Sequence, residues 1–187
     1  MNNIIKTTVI CVFFANLVWA QSESESLSLG TSLDLPKIGE HYFAEKIGNW
    51  SLQCIRVEDG NDPCEMKQLL LNAQGQPMSE VSIFYLPKGQ DAVAGANIVV
   101  PLETLLTTPL VISFDQNTRK QYPYTFCTAV GCVARIGLTE AEIAIMKNGD
   151  LANVTVSHIS LPNKPITFAM SLKGFTAAYN KIRKNYD

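Results

Sequence analysis

The feature that most limits what this chain can fold into is a recurring two-residue alternation of apolar and polar side chains. Trp50, Leu52 and Cys54 fall on one face, then Val81, Ile83 and Tyr85, then Val154 and Val156, then Ile166, Phe168 and Met170. Successive side chains of an extended strand point to opposite faces, so the alternation marks strands with one buried side. Further strand candidates lie at 64–71, 97–100, 110–114, 121–127 and 132–136, divided by turn-forming segments such as LPKGQ, FDQNTR and LPNKP. At least seven short strands predict a mainly β fold, an antiparallel β-sandwich or open barrel.

Two short helices complete the expected fold. In LTEAEIAIMKNG, Thr139 is an N-cap with Glu142 three residues on, Leu138 and Ile143 sit at staple positions, and Asn148-Gly149 supplies the stop. This predicts a helix over 140–147. A second is expected at 174–184, where Phe175, Ala178, Tyr179 and Ile182 recur at helical spacing and Lys181, Arg183 and Lys184 occupy the last turn.

The first twenty residues carry Lys6, an apolar run from Thr8 to Trp19, and the A-x-A-like end Val18-Trp19-Ala20. This is the pattern of a secretory signal peptide cleaved after Ala20. The run is broken by Asn16 and falls short of the ~18 residues of a spanning helix, so no transmembrane segment is expected after its removal. Cys11 lies inside the run rather than just after it, which argues against a lipid anchor. Residues 21–40 are rich in Ser and Glu and predict a flexible lead-in to a single domain over 41–187. Loss of Lys6 leaves 14 basic and 17 acidic residues, a formal charge of −3. With no basic block to hold phosphates, nucleic acid is not an expected partner.

Removal of Cys11 leaves four cysteines, which in an oxidising compartment are expected to pair; three connectivities are open. Geometry favours the local one. A hairpin with loop Glu58-Asp59-Gly60 sets residue 57 opposite 61 and therefore Cys54 opposite Cys64. Cys127 and Cys132 face each other across the four residues of CTAVGC, within disulfide reach. The competing reading of that motif is a thiol-redox pair. Redox motifs, however, use C-x-x-C at a helix start, whereas this spacing is four in a strand-turn-strand setting.

No catalytic, cofactor or metal constellation emerges. His158 continues the Val154 and Val156 face, and His41 lies at the domain's edge beside Tyr42 and Phe43. There is no H-x-x-x-H, H-E-x-x-H, acidic calcium loop, G-x-S-x-G or P-loop. The alternating aromatics Tyr122, Tyr124 and Phe126 offer either cross-strand packing or a binding face. Loops 87–96 and 115–121 are candidates for insertion into a partner.

In order along the chain, GNWSLQC (48–54), CEMKQ (64–68), VPLETLLTTPLVISFD (100–115), PYTFCTAVGCVAR (123–135) and SLKGFTAAY (171–179) resemble the invasion-associated locus B family of Gram-negative bacteria. The likeness spans about residues 41–183. Its most specific pieces are the Trp four residues before the first Cys, the Gln four after the second, and the C-x4-C with Gly before its second Cys. VPLETLL departs from the glycine-containing form expected there and places Glu103 in the turn. The resemblance implies a small exported protein, periplasmic, surface-associated or secreted, linked in some members to entry into host cells, with no enzymatic activity attached to the family. Export, paired cysteines and the missing catalytic groups together predict that it works by binding an envelope or host protein. It implies structural roles for Trp50, Cys54, Cys64, Gln68, Cys127, Gly131, Cys132, Gly174 and Phe175.

Overall fold

The computed structural model describes residues 28–30, 35–72 and 74–184. The expected signal peptide and most of the lead-in lie outside the described residues. Residues 28–30 are exposed and belong to no helix or strand. From Leu35 onward the chain forms one compact unit.

Its strands are β1 (His41–Ile47), β2 (Trp50–Ile55), β3 (Cys64–Leu71), β4 (Pro77–Tyr85), β5 (Ala94–Val100), β6 (Leu110–Ser113), β7 (Arg119–Tyr122), β8 (Phe126–Thr128), β9 (Gly131–Leu138), β10 (Leu151–His158) and β11 (Leu161–Ser171), with helices α1 (Glu140–Asn148) and α2 (Phe175–Lys184). They form a seven-stranded sheet ordered β1-β2-β3-β4-β5-β9-β8 and a four-stranded sheet ordered β11-β10-β6-β7. Every pairing is antiparallel and neither sheet closes, which decides between the two expected architectures in favour of a sandwich-like fold.

The alternation puts Leu52, Met66, Ile83, Ala96 and Ala134 of the larger sheet into one buried cluster with Ile112, Val154 and Phe168 of the smaller. Ile143 and Met146 of α1 and Phe175, Ala178, Tyr179 and Ile182 of α2 join the same cluster. Helix α1 begins as its sequence predicts: Thr139 accepts from the Glu142 N–H while the Glu142 carboxylate accepts from the Thr139 N–H at 2.7 Å. Helix α2 turns its apolar stripe to the sheet and leaves Lys181, Arg183 and Lys184 in its last turn.

Three expectations differ in detail. The single strand at 121–127 is two, because Pro123 cannot donate to a ladder; β7 lies in the smaller sheet and β8 in the larger. The 54–64 register is as expected, but the ladder ends at Cys54–Cys64, with a single further bond from the Ile55 N–H to the Pro63 carbonyl. The loop beyond is wider than three residues, held by Asp62, whose carboxylate accepts from the Val57 N–H at 2.8 Å and from Tyr42 Oη at 2.5 Å and lies 2.7 Å from Arg56. Residues 94–96 and 119–121 of the two candidate insertion loops belong to β5 and β7. Ahead of β1, the Gly39 N–H donates to the Arg56 carbonyl at 2.8 Å and the Arg56 N–H to the Glu40 carbonyl at 3.0 Å.

Candidate binding surface

Four of the residues singled out in the sequence converge on one joint between the sheets. Trp50 is completely buried and meets Phe175 edge-on, ring centroids 5.6 Å apart. Its indole N–H donates to the Ser171 carbonyl at 3.1 Å. Gln68, also buried, donates to that carbonyl at 2.9 Å and accepts from the Ser171 N–H at 2.8 Å. A neighbouring strand satisfies a backbone residue in the same way, so the Gln68 amide substitutes for a strand at this one position. Gly174 (φ 86°) lies back to back with Gly48 (φ 60°), and a Cβ on either would collide with the other's backbone. Gly48 and Ser171 were not singled out in the sequence. Ser171 acts through its main chain and so leaves no side-chain signature, whereas Gly48, in a turn, had a readable one.

The remaining residues form two staples. Cys54 is bonded to Cys64 and Cys127 to Cys132. The Ile55 N–H donates to the Pro63 carbonyl. The adjacent Cys54–Cys64 pair is therefore of the non-hydrogen-bonded type, which brings facing side chains closest. In the second hairpin Thr128 pairs with Gly131, leaving only residues 129 and 130 in the turn. A Cβ on Gly131 would strike the Val100 carbonyl, so glycine lets this hairpin lie tight against β5.

Glu142 and His158 are each tied to a charged partner. The Glu142 carboxylate, 2 % exposed, lies 2.7 Å from Lys120 and accepts from Tyr122 Oη at 3.2 Å. Burial raises the proton affinity of Glu142, but hydrogen bonds from Lys120 and Thr139 outweigh it and hold the carboxyl below the ordinary range. Tyr124 is half-buried, its phenol pushed up to about 12 by burial, and Phe126 is exposed, so the three aromatics share no common face. His41 lines a shallow cleft of about 240 Å³ beside Ile55, Glu65 and Phe84. His158 Nδ1 accepts from the Ser160 N–H at 3.1 Å, leaving Nε2 to face the Glu103 carboxylate at 3.1 Å. Among the described residues no three His, Cys, Asp or Glu side chains group as metal ligands. No helix of the described residues is long and apolar enough to cross a membrane.

The Glu103–His158 pair sits within a cluster of exposed aliphatic side chains. The Leu105 N–H donates to the Ser157 carbonyl and the Ile159 N–H to the Glu103 carbonyl, both at 2.8 Å, joining loop 101–106 to the β10–β11 turn. The β8–β9 turn packs against the end of β5, from which loop 101–106 departs. These three loops expose Leu102 (50 %), Leu106 (52 %), Val130 (83 %), Ile159 (58 %) and Leu161 (53 %). Glu103 is the lone formal charge in 96–114, 126–134 and 151–163 together. Contiguous exposed apolar surface is a feature of protein interaction sites, which makes these charge-poor loops the candidate binding surface. Periodicity did not reveal it, because an apolar run does not say which of its residues leave the core.

These features define a class: a disulfide-stapled, two-sheet β-domain with exposed aliphatic side chains in charge-poor loops. The model of the invasion-associated locus B protein family matches residues 50–183, and the chain belongs to that family. Invasion protein B homologues of Brucella abortus, one from strain 2308 and one from biovar 1 strain 9-941, are each 27 % identical over 146 residues, covering 78 % of this chain and 82 % of theirs. The crystal structure of invasion-associated protein B from Bartonella henselae superposes with a TM-score of 0.64 at 23 % identity, covering 75 % of this chain and 94 % of that one, and so shares the fold. The relatives are named as invasion proteins, not as enzymes.

Proposed function

We propose that the protein is exported, loses residues 1–20, and acts in the envelope, at the cell surface or outside the cell by binding another protein rather than by catalysis. The observation that carries this reading is the charge-poor group of exposed aliphatics in the three loops. Two disulfides suit an oxidising compartment. The names of the relatives point to a host-cell component as the class of partner. Residues 21–40 serve as the lead-in and 41–187 as the binding domain.

The test is photo-crosslinking from positions 102 and 159 in the intact protein, on its own cells and on host cells, beside Leu102→Asp and Ile159→Asp variants. One discrete adduct, lost in both variants while the melting temperature holds, supports the reading. Crosslinking equal to that from a control position on the opposite face overturns it. Alkylation of the native protein without reductant provides a second check: a reactive thiol at Cys127 or Cys132 would replace binding with redox chemistry.

A further inference from the structure

Strand β11 forms one edge of the smaller sheet, and among the described residues the cross-chain hydrogen bonds on its outer side fall on Ser171. Antiparallel residues alternate between bonding their partner strand and pointing away from it. The Leu172 N–H donates to Asp150 in the β10 direction, while the Ser171 N–H and carbonyl both turn outward to Gln68. By the same alternation, Met170 and Phe168 bond β10, and Ala169 and Thr167 present their N–H and carbonyl groups to the outside. The facing Thr155 and Thr167 hydroxyls, 3.0 Å apart, fit the close, non-hydrogen-bonded pairing this requires. Ala169 and Thr167 are exposed, and Pro165, with no N–H to donate, ends the free run.

Beside this edge a cleft of about 530 Å³ is lined by Lys46, Gln68, Leu69, Leu71 and Ala169. Leu69 and Leu71 are 57 % and 49 % exposed. Lys46, Lys164 and Lys173 flank the edge, all exposed, and none has a carboxylate partner among the described residues.

We propose that this edge takes an extended, acid-flanked peptide segment of a partner protein by strand addition. The peptide continues the ladder where the Gln68 amide leaves off. It bonds Ala169 and Thr167, sets alternate apolar side chains against Leu69 and Leu71, and places its acidic ends near the lysines. Gln68 marks the edge as one that accepts amide partners, and Pro165 limits the peptide to a short segment. This goes beyond the three loops above, which lie elsewhere on the surface.

The probe is a seven-residue peptide of alternating valine and threonine with aspartate at each end, titrated into the isotope-labelled protein to millimolar concentration. Saturable shifts of the Ala169 and Thr167 amides are expected. N-methylation of the peptide residues that bond β11 weakens binding about tenfold, and N-methylation of the intervening residues changes it little. A lysine-ended peptide, or Lys46→Glu combined with Lys164→Glu, also weakens it. The proposal is overturned if the amides of 167 and 169 do not move, if the two N-methylated peptides bind alike, or if those amides are already protected by dimer formation of the free protein.

Discussion

Gly48 and Gly174 touch where neither has room for a Cβ, and both adopt the left-handed backbone that side chains resist. Gly174→Ala should therefore lower stability by about 2–4 kcal/mol, read from urea melts; an unchanged midpoint would refute the close approach. Gln68→Leu keeps the volume but orphans the half-buried Ser171 N–H, at a cost of about 1–3 kcal/mol. Trp50→Ala removes a wholly buried ring and its hydrogen bond, for about 3–5 kcal/mol. Glu103, at φ 67°, is the one non-glycine with positive φ among the described residues. Its carboxylate is 71 % exposed, so its link to His158 contributes little. Glu103→Gly is expected to leave stability unchanged or raise it by up to about 1 kcal/mol. Glu103 in the turn was readable as a departure; its conformation was not, because backbone handedness leaves no mark on a single non-glycine residue.

At the scale of elements, the two hairpins make separable contributions. Replacing both cysteines of either pair by serine should cost about 2–3 kcal/mol on the chain-entropy model, somewhat more for the 54–64 loop than for the shorter 127–132 loop. Calorimetric melts of the two double variants check both size and order. Helix α1 makes a pH-dependent contribution through Glu142, and the β6–β7 turn another through Asp115, whose carboxyl is held low by the Thr118 and Asn117 N–H groups. A lowered folded-state value favours the ionised form, so the stabilisation is complete above the unfolded value, 4.5 for Glu142, and is lost as pH falls through the folded one. Melting temperature should hold from neutrality down to about pH 5 and fall below it. Glu142→Gln should flatten part of that fall; an identical profile would remove Glu142 as a source. The helices were legible because caps and 3.6-residue spacing are local. The cysteine register was legible because a hairpin is local too. The division of 121–127 between two sheets was not, since Pro123 signals a break without saying where the chain resumes.

For the whole molecule, alternation gave the fold class because one buried face per strand leaves few ways to cover a sheet. It could not give strand order, in which β9 lies beside β5 and β10 beside β6, since those partners are chosen by distant packing. The binding surfaces were the least legible level, being defined by what the fold leaves uncovered. Trp50 finds its hydrogen-bond acceptor 121 residues later, and Gln68 its own 103 residues later. The joint that Trp50 and Gln68 make is therefore incomplete until the last segment of the chain is present. A fragment ending before Ser171 should remain unfolded by circular dichroism, and a native-like spectrum from it would contradict the joint. Were the chain exported unfolded, this late joint would act as a timer, leaving the polypeptide pliable while it is threaded and fixing its shape only when its tail arrives.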